Sequence, residues 1–153
     1  MRTLAIVNLK GGTGKTVSAT NMAHILAALH RKKVLLVDGD KQGSASRYFS
    51  VYGEHDGTAA LLLADGLDAE AVERAIYRTG YYGLDIITSN LELYAADRAL
   101  YDRQDTDTAR VLSSVLDHVR NDYDFCIIDN GPSVDTVTLN VLAAADDVLI
   151  PIR

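Results

Sequence analysis

The stretch TLAIVNLKGGTGKT, residues 3–16, decides the fold, because an apolar run leads directly into a glycine-rich loop. Large apolar residues then recur at helical spacing, at Met22, Ile25, Leu26 and Leu29. This spacing predicts the buried face of a helix. Glycines allow a tight turn that points successive amide hydrogens inward, so a loop between a strand and a helix N-terminus is suited to holding phosphate oxygens.

The residues of this loop have individual expected roles. We expect Lys15 to neutralise the β- and γ-phosphates of a nucleotide and the Thr16 hydroxyl to bind Mg²⁺. The predicted phosphate-binding set is Gly11, Gly12, Thr13, Gly14, Lys15 and Thr16. A glycine turn that binds nothing would not account for a lysine and a threonine at a strand-to-helix junction. A dinucleotide loop fails on spacing, because Val17 stands where the third small residue is needed.

Other apolar runs predict buried strands at residues 34–37, 84–87, 125–128 and 148–152, in addition to 3–9. Helices are predicted at 58–64 and 68–77, and a further helical face comprises Val111, Leu112, Val115, Leu116 and Val119. Strands that are apolar throughout indicate burial on both sides, and helices between them indicate parallel crossovers. The predicted class is α/β, with a mainly parallel central sheet flanked by helices.

Length and composition bound the remaining possibilities. A chain of 153 residues that is 48% hydrophobic and 24% charged predicts one globular domain spanning 1–153. The net charge of −6 disfavours a generally basic nucleic-acid surface. Apolar runs are too short for a membrane span, and the single cysteine, Cys126, favours a reducing, cytoplasmic setting and a buried structural thiol. Because the chain stops at the strand predicted for 148–152, we expect a C-terminally truncated sheet.

Carboxylates follow two of the predicted strands. Asp38 and Asp40 end the second, and Asp129 ends the strand at 125–128. The carboxyl ends of parallel strands share one edge of a sheet with the phosphate loop. We expect Asp129 to hold Mg²⁺, one of Asp38 and Asp40 to support the metal or its waters, and the other to orient or deprotonate an attacking water.

Two further polar features are expected to be structural. Residues 102–107 predict a solvated loop in which Asp105 or Thr106 caps the following helix. The histidines show no metal-ligand spacing and are expected at or near the surface, at positions 24, 30, 55 and 118.

Taken together, the motifs resemble those of the ParA and MinD family of ATPases. Residues 10–16 depart from the usual GxxxxGK[ST] spelling, since Leu9 occupies the first glycine position, but match the deviant Walker A form KGGxGK[ST]. Residues 38–43 are similar to the pattern DxDxQG, with Lys41 in place of the usual proline. Residues 123–133 resemble YDxxxIDxPP, with Asn130 and Gly131 replacing the usual small residue and first proline.

The resemblance implies a P-loop NTPase fold and a Mg²⁺-dependent ATPase that dimerises on ATP and hydrolyses it slowly until a partner stimulates it. It implies that Lys10 reaches the phosphates bound by the second subunit, that Asp40 activates water and that Asp38 belongs to the metal-side network. Lys10, Lys15 and Asp40 are thus the predicted catalytic residues, and Thr16, Asp38 and Asp129 the predicted metal site. Lys41 is expected to leave its loop less rigid than proline would.

The same resemblance implies plasmid or chromosome segregation with a ParB-like adaptor and sequence-nonspecific DNA. The choice of ATP over GTP rests on the resemblance alone. Two alternatives stay open: a nucleotide-gated binding module with negligible hydrolysis, and another MinD-like regulatory ATPase.

Overall fold

A computed structural model describes residues 1–53, 56–64, 66–103 and 107–152. Its elements, in chain order, are β1 (Arg2–Ile6), α1 (Lys15–Ala28), β2 (Val34–Gly39), α2 (Ser44–Tyr48), α3 (Thr58–Leu63), α4 (Ala69–Arg74), β3 (Ile76–Arg78), β4 (Leu84–Ile87), α5 (Glu92–Asp102), α6 (Val111–Asp117), β5 (Phe125–Asn130), α7 (Thr136–Ala144) and β6 (Asp147–Leu149), with a 3-10 turn at Thr108–Arg110 before α6. Within these ranges, every helix is too short or too polar to cross a membrane.

The six strands form one sheet in the order β3-β4-β2-β5-β1-β6. Five strands are parallel, and β3 pairs antiparallel with β4 at one edge. The predicted class and the parallel sheet are therefore confirmed. The strands β2, β5 and β1 are adjacent at the centre, which places their carboxyl ends side by side.

Helices cover both faces of the sheet. One apolar cluster joins the sheet to α3, α5, α6 and α7, and it includes the face predicted for α6. The other joins the opposite face to α1 and α2. Cys126 is fully buried in β5, where burial raises the pKa of its thiol, as expected of a structural cysteine.

The buried face of α1 differs from the prediction. Its fully or almost fully buried apolar residues are Ala19, Ala23 and Ala27, spaced at i, i+4 and i+8. Ile25 is 44% exposed and Leu29 is 75% exposed. The other two residues of the predicted face are only partly buried, namely Met22 and Leu26. The helix that opens the glycine loop packs on the sheet through small side chains, and its larger residues lie at the margin of that contact.

Several predicted boundaries were also wrong. The helix predicted at 68–77 ends at Arg74, because the residues of Ile76–Arg78 pair with β4. The first strand ends at Ile6 rather than at residue 9. The strand predicted at 148–152 is β6, Asp147–Leu149, and Val148 is 47% exposed rather than buried. The helix predicted at 58–64 is present as α3. The capping role predicted for Asp105 or Thr106 lies outside the described residues.

Candidate functional site

The glycine loop leaves an open, amide-rich surface at the start of α1. Gly12 and Gly14 have φ of +70° and +88°, a conformation that favours glycine. A Cβ atom built on Gly11, Gly12 or Gly14 would have no neighbour within 4 Å. Gly14 is the N-cap and has no side chain to occupy the first amides of α1. These N–H groups, with the positive end of the helix dipole, are suited to binding an anion.

The two lysines of the loop are placed differently. Lys15 is buried, and its Nζ donates a hydrogen bond to the backbone oxygen of Lys10 at 3.3 Å. Thr13 Oγ1 donates to the same oxygen, also at 3.3 Å. Lys10 is exposed, and its backbone N–H is held by Asn8 Oδ1 at 2.8 Å. Lys15 therefore lies within the loop, whereas the Lys10 side chain faces solvent.

Asp129, at the carboxyl end of β5, is fully buried and unsatisfied. Neither of its carboxylate oxygens accepts a hydrogen bond from the described part of the chain. The pKa of Asp129 is raised to about 7, mainly by burial; the Thr16 hydroxyl lowers it, the Asp38 and Asp40 carboxylates raise it, and the Lys15 ammonium lowers it. A buried carboxylate that accepts no hydrogen bond is costly, and such a group fits a cationic ligand.

The donors around Asp129 fit Mg²⁺. A carboxylate and the nearby Thr16 hydroxyl are hard oxygen ligands, and Mg²⁺ commonly takes one or two such protein ligands together with phosphate oxygens and waters. Among the described residues, no cluster of three or more histidine, cysteine or acidic side chains could hold a metal by itself. The pair of oxygen donors suits an ion whose other ligands are phosphate oxygens and waters.

Asp38 lies directly opposite Asp129 in the register of β2 and β5, but its carboxylate is used by its own loop. Its Oδ1 accepts the Asp40 N–H at 3.0 Å, and its Oδ2 accepts both the backbone N–H and the hydroxyl of Ser46 at 2.7 Å. Burial raises the pKa of Asp38 to about 6 despite these bonds. The carboxylate thus holds the start of α2 against the end of β2.

Asp40 lies between its own loop and the loop after β5. Its Oδ1 accepts the Gln42 N–H at 3.0 Å, and its Oδ2 accepts the Ser44 hydroxyl at 2.9 Å. A Cβ atom on Gly131 would be 3.1 Å from Asp40 Oδ1, so glycine at this position lets the carboxylate approach. Each carboxylate oxygen has two acceptor positions, and each retains one here.

Three hydroxyl residues that sequence reasoning missed hold the same loop. Thr58 Oγ1 donates to the backbone oxygen of Asp38 at 2.7 Å, and Ser89 Oγ donates to that of Asp40 at 2.8 Å. The Ser89 N–H in turn donates to Ser46 Oγ at 2.8 Å. The sequence contains only a weak signal for these hydrogen bonds, since Thr58 stands at the start of a predicted helix and Ser89 follows a predicted strand.

The predicted site residues thus lie along one edge of the sheet, at the ends of β1, β2 and β5. Four of them lie close enough to Asp129 to affect its pKa, namely Lys15, Thr16, Asp38 and Asp40. Lys10 lies on the exposed outer part of the glycine loop.

Comparisons with known proteins agree with this geometry. A family model described as an AAA domain matches residues 1–153. The chain is 39% identical over 153 residues to the chromosome-partitioning ATPase Soj of Treponema pallidum, covering 99% of this chain and 57% of that protein. It is 36% identical over 152 residues to the chromosome partitioning protein ParA of Myxococcus xanthus, covering 99% and 52%. The chain therefore spans about half the length of these curated relatives.

The fold is also similar to that of solved structures. Cobyrinic acid a,c-diamide synthase from Mycobacterium smegmatis, solved with a bound ATP analogue and magnesium, superimposes with a TM-score of 0.87 at 31% identity. The match covers 99% of this chain and 60% of that one. The shared part includes the whole glycine loop and both acidic strand ends.

Proposed function

The chain belongs to the ParA and MinD family of P-loop ATPases, and on that premise we propose that it binds ATP with Mg²⁺, hydrolyses it and acts in plasmid or chromosome segregation. The observation that carries the proposal is the buried Asp129 carboxylate, which accepts no hydrogen bond within the described part of the chain and lies next to an open glycine loop. Relatives named for chromosome partitioning support the cellular role, and a similar fold solved with an ATP analogue and magnesium supports the ligands.

In the proposed mechanism, the amides at the start of α1 and the Lys15 ammonium bind the phosphates. Thr16 and Asp129 hold Mg²⁺, which when bound supplies positive charge to the phosphate oxygens. Asp40 orients the attacking water through a free acceptor position on its carboxylate and takes its proton there. Because three of the four acceptor positions of the Asp38 carboxylate are taken by Ser46 and the Asp40 N–H, we assign it to ordering this loop rather than to the metal.

The proposed assembly is an ATP-dependent homodimer that works with a ParB-like adaptor and with sequence-nonspecific DNA in the cytoplasm. The exposure of Lys10 supports this, since its side chain is free to reach the phosphates of a second copy. These features follow from the family and apply to the whole protein.

Calorimetric titration with ATP and GTP, with and without Mg²⁺, tests the nucleotide site. We expect ATP to bind more tightly with Mg²⁺ than without it, and Lys15→Ala to abolish binding because the ammonium facing the phosphates is lost. Lys32→Ala is the matched control, since Lys32 is an exposed lysine at the opposite edge of the sheet. Wild-type affinity in Lys15→Ala would show that the glycine loop is not the phosphate site.

A nucleotide-gated binding module with negligible hydrolysis is the second candidate. It is favoured by one observation, that both oxygens of Asp40 already accept hydrogen bonds from residues of its own loop. Steady-state phosphate release, measured with and without DNA and cell extract, separates the two. Turnover in any of these mixtures that disappears in Asp40→Ala supports the ATPase, and ATP binding without turnover supports the module.

A further inference from the structure

Lys41, the residue after Asp40, connects three elements through a partly buried ionic cluster. Its Nζ lies 2.8 Å from Asp97 Oδ2 on α5 and 2.7 Å from Asp135 Oδ2 at the start of α7. The three side chains are only 13–19% exposed. Next to the cluster, Gln42 Nε2 donates to the Tyr94 hydroxyl on α5 at 2.9 Å. The loop after β2 is thus attached to α5 and α7 by side chains at two successive positions.

Both carboxylates that bind Lys41 also bind the first turn of α7. Asp97 Oδ1 accepts the Val137 N–H at 3.1 Å, and Asp135 Oδ1 accepts the Thr138 N–H at 2.8 Å. The ammonium is therefore joined, through two carboxylates, to the amides that begin α7. Since carboxylates are stabilised at a helix N-terminus, the cluster also suits the dipole of α7.

These contacts span the position of Asp40. Asp40 directly precedes Lys41 in the chain, and the Asp40 carboxylate lies against Gly131, in the loop that leads from β5 to α7. A movement of α7 away from the β2 loop would open the space between Asp40 and Gly131. The side chain of Lys41 resists that movement. The expectation that Lys41 loosens its loop does not fit these contacts, because the lysine is held at its far end.

We propose that Lys41 is a positioning residue for Asp40, which fixes the carboxylate against Gly131 by tying the β2 loop to α5 and to the start of α7. The inference rests on the proposed ATPase function. It predicts an effect on turnover and none on nucleotide binding, because the Lys41 ammonium is engaged by Asp97 and Asp135 and not by the phosphate loop.

The test compares kcat, KM and the ATP dissociation constant of four variants with those of the wild-type chain. Lys41→Met keeps most of the length of the side chain and removes its charge; we expect kcat to fall at least tenfold and the dissociation constant to change less than twofold. Lys41→Arg keeps the charge, and we expect it to retain most of kcat. Arg98→Met is the matched control, because it breaks an exposed ion pair with Asp102 on the same helix α5 and should leave kcat unchanged.

The fourth variant separates positioning from simple destabilisation. Lys41→Met leaves two carboxylates facing each other, whereas the triple variant Lys41→Met/Asp97→Asn/Asp135→Asn removes that repulsion along with the tie. We expect the triple variant to fold and still to show the low kcat. A kcat restored in the triple variant, or a kcat within twofold of wild type in Lys41→Met, would overturn the inference while leaving the ATPase intact. A wild-type chain that binds ATP without turnover would overturn the inference together with the proposed hydrolysis.

Discussion

At the scale of single residues, Asp129 differs from the two other carboxylates of the candidate site. Asp38 and Asp40 are satisfied by neighbouring amides and hydroxyls, whereas Asp129 has neither oxygen bonded within the described residues. Its folded-state pKa, about 7, lies above the unfolded value, so its ionised form opposes folding at higher pH. A cation bound beside this carboxylate would offset that cost.

We therefore predict that Asp129→Asn stabilises the nucleotide-free protein. At pH 8 the variant lacks the buried, unpaired charge, and we expect the free energy of unfolding to rise by about 1 kcal/mol or more. This corresponds to a melting temperature higher by about 2–4 °C. The same variant should lose the Mg²⁺-dependent part of its ATP affinity. Asp122→Asn, at an exposed position, is the control and should change neither quantity. A destabilised Asp129→Asn would show that the carboxylate has a structural partner.

At the scale of elements, α1 shows that the packing of a helix depends on side-chain size as well as on apolar character. Ala19, Ala23 and Ala27 form its buried face, and Ala23 is fully buried. We predict that Ala23→Leu lowers the free energy of unfolding by about 1–3 kcal/mol, because the added atoms have no space between α1 and the sheet. Ile25→Ala, at a half-exposed position, should change it by less. Urea unfolding measures both, and the reverse order would contradict the packing described for α1.

The same helix marks the limit of sequence reasoning about elements. Periodicity correctly placed a helix after the glycine loop but selected the wrong face, because it weights large apolar residues and this contact uses alanine. Ile76 and Tyr77 were included in the predicted helix, yet they belong to the strand Ile76–Arg78, which pairs with the edge of β4. Such pairing depends on a partner distant in sequence, which local patterns do not contain. The central strands β2 and β5 were predictable because they are apolar throughout.

At the scale of the whole molecule, the candidate site follows from the order of the sheet. With β5 between β1 and β2, the glycine loop, the Asp38–Asp40 segment and Asp129 share one edge. Motif spacing and the parallel-sheet rule were sufficient to predict that meeting. They could not predict that the Ser46 hydroxyl donates a hydrogen bond to Asp38, or that Lys41 forms ion pairs with Asp97 and Asp135. These contacts connect loops and helices whose relative positions are defined only in the folded chain.

The Lys41 cluster also makes a prediction about the stability of the whole molecule with pH. Burial alone would raise the pKa of Asp135, but hydrogen bonds from Lys41, Ser133 and the Thr138 N–H lower it overall. A lowered folded-state pKa contributes stability that is present above the unfolded value, near 3.9, and is lost as pH falls through the folded value. The stabilising contribution of Asp135 should therefore be complete at pH 6 and decline below about pH 4.

Asp135→Asn isolates this contribution, because asparagine is also a good N-cap and keeps the cap of α7. We expect wild type to exceed the variant in free energy of unfolding by about 1 kcal/mol at pH 6, and this difference to shrink as the pH is lowered to 3. Asp147→Asn, which breaks the exposed pair with Arg2, should give a smaller difference at pH 6. Comparing each variant with wild type at the same pH removes the common effects of Asp38 and Asp129. A difference that stayed constant or widened toward pH 3 would mean that the ionised Asp135 carboxylate does not hold the β2 loop and α7 together.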